Sequence, residues 1–200
     1  MNKIYFILIL FSMIGMPSYA QIPEKPEDIS PLLNGENIPE ATLLAPEGSK
    51  QVLSSLLAVK PSILLFYRGG WCPYCNAHLS EIQNVEDEIL KLGYQILAIS
   101  PDSPENLKQT TVKDNLNYSL YSDADGILIK AIGIAYKAPS KYADMLKKSS
   151  GGYNEGFLPV PAVFVVDTSG KILFEYINPD YSTRLSSGLL LAILKEIKIN

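Results

Sequence analysis

The stretch Ile63-Leu64-Leu65-Phe66-Tyr67-Arg68-Gly69-Gly70-Trp71-Cys72-Pro73-Tyr74-Cys75 decides how the rest of this chain is read. Its unbroken apolar start predicts a strand buried on both faces. The glycine pair ends that strand, and apolar residues then recur at Cys75, Leu79, Ile82, Val85 and Ile89, a helical stripe that stops at Gly93. Strand, turn and helix in this order put Cys72 at a helix N-terminus, where backbone dipoles stabilise a thiolate. Cys72 and Cys75 are the only two cysteines among 200 residues. A bridge between them would close too short a loop to restrict the unfolded chain much, so the pair reads as redox-active rather than as a structural staple. An attacking thiol must be ionised, exposed and close to a second thiol; Cys72 fits the first two by position, and Cys75, one turn later and more buried, would resolve.

Outward from this stretch, Ile96 to Ile99 and Ala162 to Val166 are further continuous apolar runs, and Tyr118 to Tyr121 reads as another strand. With the helix after Cys72 they make a right-handed βαβ unit. Ser103-Pro104-Glu105 is an N-cap with proline at the first helical position, opening a helix that ends near Asn115. Short helices are expected over 52–59 and 126–134, and a short element over 41–44 before the turn at Pro46-Glu47-Gly48. Asp167-Thr168-Ser169-Gly170 turns the 162–166 strand into a hairpin with Lys171 to Ile177. Leu185, Leu189, Leu190, Ile193, Leu194 and Ile197 mark a closing amphipathic helix. Residues 138–158, rich in Gly, Ser and Tyr, interrupt the αβ alternation and read as an insertion; Tyr136, Tyr142 and Tyr153 in and before it are candidates for a substrate-facing lid.

The first 20 residues read as a secretory signal: Lys3, an apolar run from Ile4 to Met16, and Ser18-Tyr19-Ala20 before Gln21. About 13 apolar residues fall short of the ~20 that a spanning helix needs, so cleavage near Ala20 and a periplasmic or secreted chain without membrane insertion are expected. Residues 21–38, with Pro23, Pro26 and Pro31, form an extended arm, and 39–200 a single domain. Cleavage removes one of 17 basic residues, against 21 acidic, and no basic cluster longer than Lys147-Lys148 occurs, which disfavours nucleic-acid binding.

At the cysteine stretch the chain resembles the thioredoxin-like superfamily, and within it the peroxiredoxin-like branch, the AhpC/TSA-related or redoxin proteins. The resemblance rests on Phe66 to Cys75, on Val160-Pro161-Ala162-Val163-Phe164-Val165-Val166-Asp167 with Gly170-Lys171, and on Asn178-Pro179-Asp180-Tyr181 with Arg184. It covers roughly residues 40 to 197 and implies a thioredoxin-like α/β fold: a central mixed β-sheet flanked by helices, with the insertion preceding a cis-proline strand. It further implies that Pro161 is that cis-proline, that Val160 offers its backbone to a substrate, and that Trp71, Pro73 and Tyr74 line the substrate-facing rim. Arg68 and Arg184 are the only arginines, and the family's use of an arginine to polarise peroxide and hold the thiolate makes both candidates.

The chain departs from the family at Gly69, where peroxiredoxins carry a threonine three residues before the peroxidatic cysteine. It departs from thioredoxins proper at Phe66 and Ser80, where those carry a buried acid and a helix-kinking proline. The reading is therefore an exported thiol-disulfide oxidoreductase in which Cys72 attacks and Cys75 closes an intramolecular disulfide. The alternative is a thiol-dependent peroxidase on the same cysteines. Either acts on a protein disulfide or a peroxide, draws electrons from an external thiol, in an oxidising compartment through a membrane-linked reductase, and needs no organic cofactor and no metal. Two readings of other classes remain: a noncatalytic redoxin-like binding protein, and a copper or other metal-binding chaperone module using Cys72, Cys75 and His78, the one histidine. Asn76 excludes covalent c-type haem, and the Asp123-Asp125-Gly126 turn lacks the glutamate of a calcium loop.

Overall fold

Every residue from Ser62 to Phe66 is buried, because the strand they form is covered on both faces. The computed structural model describes residues 22–197. The expected leader, 1–20, lies outside them. In chain order, β1 (Thr42–Leu44), β2 (Lys50–Val52), α1 (Leu53–Leu57) and β3 (Ser62–Phe66) lead to the cysteines. Then come α2 (Pro73–Gln83), α3 (Glu86–Lys91), β4 (Gln95–Ser100), α4 (Pro104–Lys113), β5 (Ser119–Ser122) and α5 (Ile127–Ala131). The chain closes with β6 (Ala135–Lys137), α6 (Ala143–Ser149), β7 (Phe157–Pro159), β8 (Ala162–Val166), β9 (Ile172–Ile177) and α7 (Ser187–Glu196).

Seven strands form one mixed sheet in the order β2-β1-β5-β4-β3-β8-β9. β3, β4 and β5 run parallel at its centre, while β8 pairs antiparallel with β3 in a register that sets Phe66 against Ala162. Alternation along β3 divides the core into two layers. Leu64 and Phe66 join Leu97, Ile99, Phe164 and residues of α1 and α5 on one face. Ile63 and Leu65 join Ile96, Ala98, Val163, Val165 and the buried sides of α2, α4 and α7 on the other, and Cys72 and Cys75 belong to this second layer. The central mixed sheet flanked by helices is the architecture the sequence implies.

The helix expected to run unbroken to Lys91 is interrupted: α2 ends at Gln83, and Val85 leaves helical geometry at φ −117°, ψ 9°. Asn84 and the β-branched Val85 are weak helix formers. Gln83 meanwhile donates to Glu86 at 2.6 Å and accepts the Asn117 N–H at 2.7 Å, which secures the bend. The apolar stripe crosses the break in phase, so periodicity alone does not reveal it.

The 138–158 insertion is also more ordered than its composition suggests. It holds α6, and β6 and β7 frame it as a separate two-stranded sheet pairing Tyr136 with Leu158. Tyr136, Leu146, Leu158 and Val160 form a small third core beneath it. The N-terminal arm is stitched onto the domain: Leu32 N–H donates to Ile132, Gly35 N–H to Ile172 and Lys137 N–H to Pro23. Among the described residues no helix is long and apolar enough to cross a membrane.

The Val160–Pro161 peptide bond is trans, contrary to the expectation from the resemblance. Both flanking groups are committed to the fold: Val160 N–H donates to the Ile134 carbonyl at 2.8 Å, and the Pro161 carbonyl accepts from Asn178 N–H at 3.3 Å. Val160 is fully buried, so it offers no free backbone edge to a substrate strand, which corrects that assignment too.

Candidate active site

Cys72 is the N-cap of α2, in extended geometry, with Pro73 at the first helical position. Its carbonyl accepts the N–H groups of Cys75 and Asn76, each at 3.0 Å. The Cys72 thiol pKa falls to about 6, chiefly because the Cys75 side chain hydrogen-bonds to it, with the Cys75 N–H and the charges of Arg68 and Arg184 acting in the same direction against the cost of burial. Burial and the neighbouring Cys72 push the Cys75 thiol well above its ordinary value. At neutral pH Cys72 is therefore a thiolate and Cys75 a thiol. Exposure is where the expectation fails: Cys72 is only 1% exposed, no more than Cys75.

Both arginines are at the site. Arg184, from the loop before α7, brings Nη2 to 3.6 Å from Cys75 Sγ. Arg68 is 2% exposed, and among the described residues no carboxylate pairs with it. Its guanidinium faces three rings instead, with Cζ 4.3 Å from the Tyr181 centroid, 5.1 Å from Trp71 and 5.2 Å from Tyr142. Trp71 packs on Tyr142 at 5.6 Å, and Tyr74, half exposed, meets Tyr181 edge-on at 5.7 Å. Pro161 lies in a tight crevice that also includes His78, Arg184 and Leu185, on the flank of α2.

His78 is buried, its Nε2 3.0 Å from the Leu185 carbonyl, and burial lowers its pKa to about 4. The ring is engaged in tying α2 to the segment before α7, and among the described residues no group of three His, Cys, Asp or Glu is placed to hold a metal ion. Tyr153, proposed above for a lid, is exposed and lines a groove with Glu40, Lys50 and Ile127 instead.

Two site residues carried no assignment from the sequence. Tyr181 was visible only as part of a short motif. Asp102, just past β4, is 1% exposed and accepts the Gly70 N–H at 2.7 Å, while its Oδ1 has no hydrogen-bond partner. It borders a polar cavity of about 270 Å³ with Gly70, Trp71, Asn106, Thr110 and Lys113. Burial raises its pKa from 3.8 to about 6, against the pull of the Gly70 bond. A raised carboxyl pKa means that the native state holds the proton more tightly than the unfolded chain, so this side chain's stability contribution declines as pH climbs from 3.8 toward about 6 and is level above that. Asp102→Asn keeps an acceptor for Gly70 without the charge. It is expected to be more stable than the parent by about 2–3 kcal/mol above pH ~6 and by little below pH ~4, measured by denaturant unfolding across that range.

The AhpC/TSA family model matches residues 34–174. The chain belongs to that family. It is 27% identical over 168 residues to peroxiredoxin Bcp of Escherichia coli, covering 84% of this chain and 99% of that protein. The fold matches reduced Prx3 of Vibrio vulnificus in complex with hydrogen peroxide, at TM-score 0.70 and 19% identity over 82% of this chain and 99% of that one. It also matches the Xanthomonas campestris bacterioferritin comigratory protein, whose structures address alkyl peroxide reduction, at TM-score 0.61 and 18% identity over 78% and 90%. The thioredoxin-like fold of the peroxiredoxin branch is thus the fold of this chain. It is a thiol redox enzyme of the peroxiredoxin-like type.

Proposed function

We propose that this chain is an exported thiol-dependent peroxidase. Of the two thiol-redox readings drawn from the sequence, the similarity to peroxiredoxins favours this one. One observation carries it: Cys72, the ionised thiol, is 1% exposed, so a hydroperoxide needs only a small opening of the site, whereas a folded disulfide protein needs a large rearrangement to meet the sulfur. The Cys72 thiolate attacks the outer oxygen of the hydroperoxide, the O–O bond breaks, and the alkoxide or hydroxide leaves as alcohol or water after taking a proton. Cys72 is now a sulfenic acid. Cys75 Sγ attacks that sulfur and gives up its proton, hydroxide leaves as water, and a Cys72–Cys75 disulfide forms. An external dithiol reduces it by exchange. Arg184 and Arg68 favour the thiolate at the start, and their positive charge also favours the negative charge that moves onto the leaving oxygen. Trp71, Pro73 and Tyr74 form the rim, and the leader-like residues 1–20 support periplasmic or secreted placement.

A second reading, exchange with small disulfides, draws support from Gly69, which supplies no hydroxyl to orient a peroxide. Reduced protein starting at Gln21, mixed separately with hydrogen peroxide and a small disulfide, separates the two. The peroxidase reading expects faster Cys72 oxidation by peroxide, with a rate that rises with pH through a midpoint near about 6 as the thiolate forms. Fast disulfide exchange with a negligible peroxide rate would sink it.

A further inference from the structure

We infer that the loop from Asn178 to Arg184, clasped by Tyr181 onto Arg68, is a lid that sets the size of substrate admitted to Cys72. The inference rests on the proposed peroxidase reading and names its specificity determinant.

The nucleophile is buried in the described structure, so something must move before a substrate reaches it. The loop is built to move as a unit. Most of its hydrogen bonds are internal: Asp180 N–H donates to Asn178 Oδ1 at 3.0 Å, the Ser182 N–H and hydroxyl to Asp180 Oδ1 at 3.0 and 2.7 Å, and the Thr183 hydroxyl to Asp180 Oδ2 at 3.0 Å. Tyr181 itself is 41% exposed and reaches the body of the domain through its ring, which lies 4.3 Å from Arg68 Cζ and 5.7 Å from the Tyr74 ring. Arg68 sits on the turn that leads into Cys72, and Tyr74 is in the first turn of α2, so this one ring bridges both sides of the cysteine. Tyr142, from the insertion, holds Arg68 from another side at 5.2 Å.

The same loop carries Arg184, which donates to the Tyr181 and Thr183 carbonyls and reaches Cys75 at 3.6 Å. Closing the lid therefore brings a cation to the thiols, and opening it withdraws that cation. Small hydroperoxides need only a brief or partial opening. A bulky one needs the ring displaced, which costs the contact between Tyr181 and the desolvated guanidinium.

Tyr181→Ala removes the ring but keeps the backbone carbonyl that Arg184 uses, and any shift of the cation acts on both peroxides alike, so the ratio of their rates reads access. The rate constants of Cys72 oxidation by cumene hydroperoxide and by hydrogen peroxide are measured, and their ratio is compared between Tyr181→Ala, Tyr181→Phe and the parent. The ratio is expected to rise about tenfold in Tyr181→Ala, the scale of one lost cation–π contact, and to stay near the parent value in Tyr181→Phe, which retains the ring. An unchanged ratio in Tyr181→Ala, or the same rise in Tyr181→Phe, overturns the lid. If the parent reacts with neither peroxide yet exchanges with disulfides, the peroxidase reading fails instead. The ratio for glutathione disulfide against cystamine then tests the lid in the same way.

Discussion

Cys72→Ser is expected to abolish peroxide-driven oxidation of the protein, lowering the rate at least roughly a thousandfold, because a serine hydroxyl is not ionised near neutral pH. Cys75→Ser separates the two steps. The hydroxyl still donates a hydrogen bond toward Cys72, the largest cause of its low pKa, so the first step continues at close to the parent rate. The product differs: intact-mass analysis should find a gain of one oxygen on Cys72 in Cys75→Ser, and the loss of two hydrogens, a disulfide, in the parent. Cys75→Ala removes that donor and is expected to raise the Cys72 midpoint above about 6, slowing the reaction at neutral pH. If peroxide were consumed equally by Cys72→Ser, the assignment of the nucleophile would be wrong.

That the two thiols could be placed before the structure was known follows from local signals. Pro73 directly after Cys72 marks a helix start, and the unbroken apolar run Ile63 to Tyr67 marks a central strand. β8 and β9 were equally plain, since a glycine turn separates two apolar runs. β2 was not, because Lys50–Val52 is polar and largely exposed and gains its strand geometry only from pairing with β1. The break between α2 and α3 stayed hidden because Val85 and Ile89 keep the stripe in phase across it. The trans bond before Pro161, between residues whose backbone groups bond to Ile134 and Asn178, has no trace in the local motif.

The site was legible in its members and only in part in its closure, for which Tyr142 was a candidate and Tyr181 was not. Arg68 and Arg184 were candidates through the family's use of an arginine; Arg184 lies 3.6 Å from Cys75 Sγ, and the charges of both lower the Cys72 pKa. What encloses the site depends on Tyr142 and Tyr181, which are far from Cys72 in sequence and meet Arg68 only once the sheet has formed. No spacing rule connects them. Asp102 is a similar case: its carboxylate acts on Gly70 across the gap between β3 and β4, so its role depends on the parallel pairing that aligns the two strand ends.

Gly69→Thr, which restores the residue peroxiredoxins carry at this position, is expected to destroy the site instead of improving it. Gly69 is buried and adopts φ +141°, a conformation that residues with side chains rarely enter. A Cβ there would fall on the Trp71 indole nitrogen and lie 2.9 Å from Asp102 Oδ1. Backbone strain and overpacking each cost about 1–3 kcal/mol, so a combined loss of about 2–6 kcal/mol is expected, enough to remove much of a small domain's stability. Displacing Trp71 also loosens one of the three rings around Arg68 and shifts the turn that sets the Cys72 N-cap. Thermal unfolding should show a large fall in Tm, and any folded fraction should oxidise at Cys72 more slowly than the parent. Gly70→Ala is the control for backbone strain: its added carbon meets the Thr110 hydroxyl, but Gly70 does not have a positive φ, so a smaller loss is expected. A Gly69→Thr protein with the parent's Tm and a faster peroxide reaction would mean that the turn yields easily, and that Trp71 and Asp102 do not hold glycine at this position.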